Sequence, residues 1–235
     1  MKPLDLRWLG RVPYRNGLAL QEEHVAAVRD GRIAGTLLLL EHPPVITLGR
    51  GSNARHVLAP ADELERLGIE VHESGRGGDV TFHGPGQLVG YPIVRLPASR
   101  RDAHRYLRDL EEVMIRTAAE FGVHAGRQQG LTGAWVGNRK LAAIGVRLST
   151  GWITSHGFAF NVANDLSAYA TIVPCGIRDR GVTSLLELTG IDPGIRDVAG
   201  VAARHVCDLF GLEPRQPDDP RERLQLAVPG SRRLC

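Results

Sequence analysis

Lysine is nearly absent from this chain of 235 residues. Of its 29 basic residues, only Lys2 and Lys140 are lysines, and the others are arginines. Arginine stays protonated at every useful pH, whereas a lysine can lose its proton where its surroundings favour the neutral amine. Lys2 lies at the amino end, but Lys140 follows Arg139 directly and begins an apolar run. Because Arg139 already supplies fixed charge, Lys140 is a candidate for proton transfer; an incidental lysine at a surface strand end is the alternative.

Cysteine is scarce as well. Three cysteines without paired spacing disfavour a disulfide framework and indicate a reducing compartment. The chain also lacks Cys-x-x-Cys, His-Glu-x-x-His, Gly-x-Ser-x-Gly and a lysine after glycine, and its residues 84–90 have the wrong glycine spacing for a dinucleotide fingerprint. We therefore expect no metal and no bound cofactor.

Aromatic residues and long apolar runs are few. Aromatics make up 5% of the chain, and its basic residues do not form tracts although the formal net charge is +3. This composition gives no reason to expect a nucleic acid partner. The most apolar run, residues 36–40, is only long enough for a strand. The charged residues Asp5 and Arg7 lie where a signal peptide would have its apolar stretch. We expect a cytoplasmic protein with no membrane segment.

The 43% apolar content is sufficient for one globular core, and strand-like and helix-like segments alternate along the chain. The pattern predicts an α+β fold with a mixed β-sheet and flanking helices. Predicted strands cover residues 4–9, 36–40, 45–48, 69–72, 134–136, 141–148 and 152–162. Predicted helices cover residues 14–30, 61–67, 102–121, 182–188 and 195–210. Residues 213–235, rich in Pro, Arg and Asp, are predicted to be a mobile tail behind a domain over 1–212.

Cys175 has a setting suited to chemistry. Pro174 restricts the backbone before it and Gly176 permits a sharp bend after it, so the thiol is expected on a loop. A nearby cation would favour the thiolate of such a cysteine. Small buried structural cysteines are common, which is the alternative reading. Cys207 and Cys235 are interpreted as structural or incidental, and we predict a dyad of Cys175 and Lys140.

Two further segments are candidates for a site. Residues 74–92 contain six glycines. They indicate either a loop whose N–H groups face the carbonyl group of a ligand, with Arg76 and His83 as further polar contacts, or a pair of β-hairpin turns with bulges. Residues 156–161 read His-Gly-Phe-Ala-Phe-Asn. They predict either a strand whose phenylalanines wall an apolar pocket with its histidine at the mouth, or a core strand with a satisfied histidine.

Taken together, these segments resemble the lipoyl(octanoyl) transferases, which move an octanoyl group from acyl carrier protein to a lysine of a lipoyl domain. The family pattern Arg-Gly-Gly-x-x-Thr-x-His-Gly-Pro-Gly-Gln-Leu-x-x-Tyr-Pro matches residues 76–92, and His-Pro-x-x-x-Thr-x-Gly-Arg matches 42–50. Lys-x-Ala-x-x-Gly matches 140–145, His-Gly-x-Ala-x-Asn matches 156–161 and Pro-Cys-Gly matches 174–176. The resemblance covers most of the chain.

The resemblance implies the α+β fold shared by biotin and lipoate protein ligases, with an octanoyltransferase catalytic domain over residues 1–212. It implies that Cys175 carries the acyl group as a thioester and that Lys140 assists it. The donor would be octanoyl-acyl carrier protein, and the acceptors would be lipoyl domains of 2-oxoacid dehydrogenase E2 subunits and the glycine cleavage H protein. This would be the first step of endogenous protein lipoylation. The substrate-binding residues implied are Arg76, Gly77, Gly78, Asp79, Val80, Thr81, Phe82, His83, Ala143, Ile144, Gly145, Gly157, Phe158 and Ala159.

Other functions remain open from the sequence. An ATP-dependent lipoate or biotin ligase of the same fold would have the motif lysine but no acyl-carrying cysteine, so Cys175 disfavours it. A non-catalytic module that binds acyl carrier protein is a second alternative, and a cysteine hydrolase is a weaker third. Acidic carriers could dock at one end of the predicted helix over 102–121, although a solvated helix face explains the same residues. The arginines of that end are Arg100, Arg101, Arg105 and Arg108.

Overall fold

The computed structural model describes residues 1–174 and 180–226. Its strands are β1 Lys2–Arg11, β2 Gly35–Glu41, β3 Val45–Leu48, β4 Glu70–Glu73, β5 Val80–His83, β6 Gln87–Val94, β7 Gly126–Gln128, β8 Leu131–Val136, β9 Arg139–Ser149, β10 Ile153–Asn161, β11 Gly181–Val182 and β12 Leu212–Arg215. Its α-helices are α1 Tyr14–Arg29, α2 Ala61–Arg66, α3 Ala103–Glu120, α4 Leu185–Thr189 and α5 Ile195–Phe210. The α+β class predicted from the sequence is confirmed.

Two sheets organise the described residues. The larger has the strand order β12-β1-β2-β6-β10-β9-β8-β7, with β11 paired to β9, and the smaller has the order β4-β3-β5. In the larger sheet β1 runs parallel to β2 and β12, whereas β2, β6, β10 and β9 are antiparallel neighbours. The sheet is therefore mixed, as predicted.

Side chains of the larger sheet alternate between two apolar clusters. Leu37 and Leu39 of β2 belong to the cluster packed against α3 and α5. Leu38 and Leu40 of the same strand belong to a smaller cluster with Val28 of α1. Helix α1 therefore covers one face of the sheet, and α3 and α5 cover the other.

Helix α3 is the longest helix, and the sequence explains both its start and its burial. The Asp102 side chain caps its amino end by accepting hydrogen bonds from the N–H groups of His104 and Arg105. Apolar residues at helical spacing, including Leu110 and Met114, are fully buried on one stripe. The predicted helix over 102–121 therefore lies where the spacing placed it.

The structure differs from the predicted elements near its carboxyl end. The helix expected over 182–188 begins at Leu185, because Val182 instead pairs with Lys140 in a short parallel ladder. Part of the segment predicted as a mobile tail is ordered: β12 pairs in parallel with β1, and Arg7 forms an ion pair with Glu222 at 2.6 Å. Residues 227–235, which include Cys235, lie outside the described residues.

None of the helices within residues 1–174 and 180–226 is long and apolar enough to cross a bilayer.

Candidate active site

A narrow cavity of about 60 Å³ lies where the smaller sheet meets the α1 face of the larger one. Helix α1 contributes one residue, the glycine-rich segment and β5 line one wall, and β6, β9 and β10 line the other. The lining residues are Tyr14, Arg76, Gly78, Asp79, Thr81, His83, Val89, Tyr91, Ala143, Ile144, Gly145, His156, Gly157, Phe158 and Ala159. The cavity therefore joins three of the motifs that the sequence analysis identified.

Small side chains leave the room for this cavity. Ala143 and Gly145 of β9 are paired directly with Ala159 and Gly157 of β10. Of the two interpretations of residues 156–161, the one in which both phenylalanines wall a pocket does not hold for Phe160, which fits the alternative of a core strand. Both phenylalanines pack in the core on the α3 and α5 side, although Phe158 still borders the cavity. The alternation of β10 directs the small residues to the cavity and the large ones away from it.

Arg76 places a buried guanidinium in the cavity wall. Its Nη2 donates to the carbonyl oxygen of Thr47 at 2.7 Å and to the hydroxyl of Thr47 at 2.9 Å. Its Nη1 donates to the carbonyl oxygen of Gly77 at 3.1 Å. Neutral acceptors thus fix the side chain, and its positive charge is held beside the cavity.

Two glycines make this placement possible. A Cβ atom at Gly49 would lie 2.7 Å from Nη1 of Arg76 and 2.2 Å from the carbonyl oxygen of Gly78. A Cβ atom at Gly145 would lie 3.1 Å from Cδ of Arg76 and 3.0 Å from the carbonyl oxygen of Gly77. Close approach of the backbone, which only glycine permits, therefore accounts for both residues.

Hydrogen bonds hold the two tyrosines of the cavity wall, Tyr14 and Tyr91, in place, and one of their partners is a buried histidine. His42 is fully buried; its Nδ1 lies 2.6 Å from the carbonyl oxygen of Val12, and its Nε2 lies 2.7 Å from the hydroxyl of Tyr91. Since a carbonyl oxygen only accepts, Nδ1 carries the proton and Nε2 accepts from Tyr91. The hydroxyl of Tyr14 donates to Oγ of Ser74 at 2.9 Å. From the sequence, His42 was known only as the first residue of a family pattern, so these contacts were missed.

The orientation of the His83 ring follows from its neighbour Gln87. The amide nitrogen of Gln87 donates to Phe82, Asn161 and Tyr169, which leaves its oxygen as an acceptor. Nδ1 of His83 lies 2.7 Å from that oxygen and therefore carries the ring proton. Nε2 of His83 is left with a lone pair, so this imidazole can accept a hydrogen bond from a ligand.

The histidines around the cavity are held in the neutral form. Burial, followed by the charges of His42 and Arg76 among the smaller causes, lowers the pKa of His83 from 6.5 to about 3. Burial also lowers the pKa of His42 from 6.5 to about 4. For His156, burial and then the positive charge of Arg76 lower the pKa from 6.5 to about 4. Around neutral pH these groups are polar but uncharged.

His156 has a left-handed backbone conformation with φ of 54°. Such a conformation is unusual for a residue with a side chain and is found at sites where the surroundings enforce it. Here the N–H of His156 donates to the side-chain oxygen of Gln21 at 2.7 Å, which ties β10 to α1. The predicted position of His156 at the cavity agrees with the structure.

Lys140 is buried and belongs to β9, the strand that supplies Ala143 and Gly145 to the cavity, but Lys140 itself does not line the cavity. Its Nζ atom lies 4.8 Å from the centroid of the Trp135 ring. Its carbonyl oxygen accepts from the N–H of Thr183, and its backbone pairs with Val182. Cys175 lies outside the described residues, so the dyad of Cys175 and Lys140 stays a prediction.

The structure brings together most of the substrate-binding residues that the resemblance implied. Among the fourteen named in the sequence analysis, Gly77, Val80 and Phe82 do not border the cavity. Val80 and Phe82 belong to the core of the smaller sheet, and the N–H of Gly77 donates to Val146. Tyr14 lines the cavity without any motif that could have identified it. Tyr91 was part of the family pattern but was not selected.

A wider groove of about 450 Å³ lies on the other side of β5. It is lined by Pro44, Ala59, Glu63, Leu67, Ile69, Phe82, Gly84, Pro85, Asp165, Ser167, Ala168, Ala170 and Thr171. Neither Arg76 nor any of the buried histidines borders it. We therefore assign the site to the narrower cavity, where the polar groups converge. Among the described residues, no cluster of three or more potential ligands could hold a metal ion.

The arginines considered for carrier docking lie away from the cavity. Helix α3, which they flank, packs on the opposite face of the larger sheet. Arg100 donates to the carbonyl oxygen of Leu209 at 2.8 Å, and Arg108 forms an ion pair with Glu111 at 2.6 Å. Arg105 donates to the carbonyl oxygen of Ser99. These contacts give the arginines structural roles and do not support docking there.

Comparison with known proteins agrees with this geometry. A family model described as the lipoyl protein ligase A/B catalytic domain matches residues 13–206. A protein of Solibacter usitatus named octanoyltransferase is 50% identical over 213 residues, which cover 91% of this chain and 96% of that protein. An octanoyltransferase of Rubrobacter xylanophilus is 53% identical over 210 residues, which cover 84% of this chain and 94% of that protein.

Solved structures with a similar fold are more distant in sequence. A lipoate-protein ligase A bound with ATP aligns with a TM-score of 0.76 at 18% identity, covering 92% of this chain and 89% of that one. The biotin protein ligase from Aquifex aeolicus in complex with biotin and ATP aligns with a TM-score of 0.55 at 16% identity, covering 90% and 71%. At these identities the likeness shows the shared fold, which confirms the predicted biotin and lipoate ligase architecture.

Proposed function

The chain belongs to the lipoyl protein ligase A/B catalytic domain family, and on that premise we propose that it is an octanoyltransferase of protein lipoylation. Relatives of nearly the same length that carry this name are up to 53% identical. The observation that carries the proposal furthest is the cavity itself. Alanine and glycine of β9 and β10 give it an apolar wall that an acyl chain can approach closely, and polar groups line the same cavity.

The polar groups of the cavity wall suit a carbonyl compound such as an acyl thioester as the reacting species. The imidazoles of His83 and His156 are neutral because burial lowers their pKa values, and the guanidinium of Arg76 donates to Thr47 and Gly77. Binding pockets of this kind combine an apolar lining with a few placed polar groups.

The reaction proposed has two steps through Cys175. In the first, the Cys175 thiolate attacks the octanoyl thioester of acyl carrier protein and the carrier's thiol leaves. In the second, the amine of an acceptor lysine attacks the acyl-Cys175 thioester, forming an amide and releasing the thiolate. In the first step Lys140 takes the Cys175 proton and passes it to the departing thiolate of the carrier; in the second it takes the proton of the incoming amine and returns it to the Cys175 thiolate. Two steps with a thiolate leaving group replace one direct transfer between carriers.

The oxyanion of each tetrahedral intermediate requires backbone or side-chain donors near the cavity. The N–H of Gly77 is already bonded to the carbonyl oxygen of Val146 at 2.9 Å. Gly78, with φ of 88°, borders the cavity. We assign the N–H of Gly78 to the oxyanion in preference to that of Gly77.

The acceptors proposed are lipoyl domains of 2-oxoacid dehydrogenase E2 subunits and the glycine cleavage H protein, and the reaction would take place in the cytoplasm. An ATP-dependent ligase of the same fold would activate free octanoate instead. Such a ligase needs no acyl-carrying cysteine, so the role of Cys175 separates the two activities.

Intact mass measurement tests this proposal. Incubation with octanoyl-acyl carrier protein should add one octanoyl group to the parent protein, in a form released by hydroxylamine, and should add nothing to Cys175→Ser. Cys207→Ser is the matched control: Cys207 is 3% exposed and burial raises its pKa to about 12, so this thiol is inert. Transfer by Cys175→Ser from octanoate and ATP would overturn the proposal in favour of the ligase.

A further inference from the structure

A connecting segment links the glycine-rich wall of the cavity to the chain that leads to Cys175. On one side, the N–H groups of Arg50 and Gly51 donate to the carbonyl oxygens of Arg76 and Gly78, each at 3.0 Å. The segment concerned, residues 49–59, joins β3 to α2. One edge of the segment is thus fixed to the cavity wall.

The other edge of the same segment is fixed to residues 171–173. The N–H of Leu58 donates to the carbonyl oxygen of Thr171 at 2.8 Å, and Val57 and Ile172 form an antiparallel bridge. The N–H of Val173 donates to the carbonyl oxygen of His56 at 2.7 Å. Val173 precedes Cys175 by two residues in the sequence. The backbone bonds therefore connect the cavity wall to the approach to Cys175.

The side chains of His56 and Asp79 form a further contact between this segment and the cavity wall. Oδ2 of Asp79 lies 2.5 Å from Nδ1 of His56, and Oδ1 of Asp79 accepts from the N–H of Asn53 at 3.1 Å. Both oxygens of Asp79 are therefore engaged by residues 53–56. His56 is held to the cavity wall by its ring and holds Val173 by its carbonyl oxygen.

We propose that His56 and Asp79 are a positioning pair that sets the approach to Cys175 in register with the acyl cavity. This assigns Asp79 a role other than direct contact with the acyl group, and it gives His56, which no sequence motif had identified, a part in the reaction. The inference rests on the proposed function, since it concerns the cysteine that would carry the acyl group. Small displacements of a reacting group slow a reaction strongly even when binding is intact.

The test compares His56→Ala, Asp79→Ala, the double variant and His56→Asn, whose side-chain amide nitrogen occupies nearly the place of Nδ1. Octanoylation of Cys175 is followed by mass at saturating octanoyl-acyl carrier protein. We expect His56→Ala to lower this rate about tenfold while the donor KM changes less than about twofold. The double variant should be no slower than the slower single one, because one pair is broken in each.

Glu70→Ala provides a control matched to Asp79→Ala. It breaks a second histidine–carboxylate pair of the smaller sheet, in which Nε2 of His72 lies 2.6 Å from the exposed carboxylate of Glu70. This variant should acylate at the parental rate. His56→Asn should recover most of the rate lost in His56→Ala, and all variants should unfold at the parental temperature.

Two results overturn the positioning role alone. One is a parental acylation rate in His56→Ala. The other is a loss of rate that follows a lower unfolding temperature and is not recovered in His56→Asn, which indicates a merely structural pair. A parent protein that forms no adduct at Cys175 would be a different result, because it overturns the proposed function and the positioning role together.

Discussion

The Nζ atom of Lys140 lies 4.8 Å from the centroid of the Trp135 ring, and the two residues face each other in adjacent strands. The ring supplies a polarisable apolar surface against which the amine packs. Gly133, in the same strand as Trp135, also approaches this side chain: a Cβ atom there would lie 3.6 Å from Cδ of Lys140. The strand β8 therefore fixes the position of the lysine.

Replacing Lys140 by arginine should retain the fold and remove most of the activity. Arginine keeps the positive charge and also stacks on aromatic rings, but it cannot give up a proton at any practical pH. Loss of proton transfer lowers the rate of such a step roughly 100-fold or more. The measurement is the rate of octanoyl transfer to a lipoyl domain, with circular dichroism to verify the fold.

Arg139→Lys is the control for the Lys140→Arg variant. Arg139 is adjacent in sequence, and its exposed guanidinium forms an ion pair with Glu187 at 2.6 Å, which a lysine can replace. Activity at the parental level is expected. A Lys140→Arg protein as active as the parent would show that residue 140 supplies charge only.

Glu111 stabilises β8 from within the core. Its carboxylate is fully buried; one oxygen lies 2.6 Å from Nη1 of Arg108 and 3.1 Å from Nε of Arg127, and the other accepts from the N–H of Gly133 at 3.0 Å. Glu111→Gln removes the charge that pairs these groups. We expect a loss of about 2–4 kcal/mol in the free energy of unfolding, measured by urea denaturation.

Glu112→Gln is the appropriate comparison for Glu111→Gln. Its carboxylate is 29% exposed and pairs with Arg116 and Arg127. Because solvent screens exposed ion pairs, this substitution should cost no more than about 1 kcal/mol. Equal losses in the two variants would contradict a special role for the buried carboxylate.

The buried histidines predict how stability depends on pH. His42, His83 and His156 have pKa values of about 4, 3 and 4 in the folded protein, below their ordinary value of 6.5, chiefly because of burial. Below pH 6.5 the unfolded chain binds protons that the folded chain does not, so the free energy of unfolding should decrease as the pH falls toward 4. At pH 5 the loss is roughly 2 kcal/mol for each histidine.

Urea unfolding of the parent and of His42→Gln between pH 5 and pH 7.5 measures this dependence. The variant lacks one of the three groups, so its unfolding free energy should change less steeply with pH than that of the parent. The same substitution also removes the bond to Tyr91 and should lower stability at every pH. Parallel curves for the two proteins would refute a buried neutral His42.

The sequence predicted those elements of the fold that local sequence patterns determine. The helix α3 has a capping aspartate and an apolar stripe. The pairing of Gly145 with Gly157 in adjacent strands is a finding of the structure, although the resemblance had named both residues. Strands β5 and β6 were not predicted as strands, because the glycines and prolines of residues 84–92 interrupt the apolar run that identified β2.

The residues of the site that could not be identified from the sequence were missed for one physical reason. Tyr14 and His42 act through partners distant in sequence: Tyr14 bonds to Ser74, and His42 bonds to Tyr91. Tyr14 belongs to no motif, and the family pattern that begins at His42 gives no sign of its partner, since only tertiary packing brings the partners together. The elements were therefore predictable from local sequence, whereas the support of the cavity depends on tertiary structure.

Gly145→Ala should weaken binding of the acyl donor by displacing Arg76. The added Cβ atom would lie 3.1 Å from Cδ of Arg76 and 3.0 Å from the carbonyl oxygen of Gly77, and both are tighter than ordinary contacts. The backbone oxygen cannot rotate away, so the guanidinium and the cavity wall must shift. We expect the donor KM to rise about tenfold and the free energy of unfolding to fall by about 1–3 kcal/mol.

Gly126→Ala controls for the methyl group introduced by Gly145→Ala. A Cβ atom at Gly126 would meet no heavy atom within 4 Å, and this residue lies in β7, at the edge of the larger sheet. Steady-state kinetics should therefore give the parental KM. If Gly145→Ala also retained the parental KM while losing stability, the close approach of β9 to Arg76 would serve folding and not the binding of substrate.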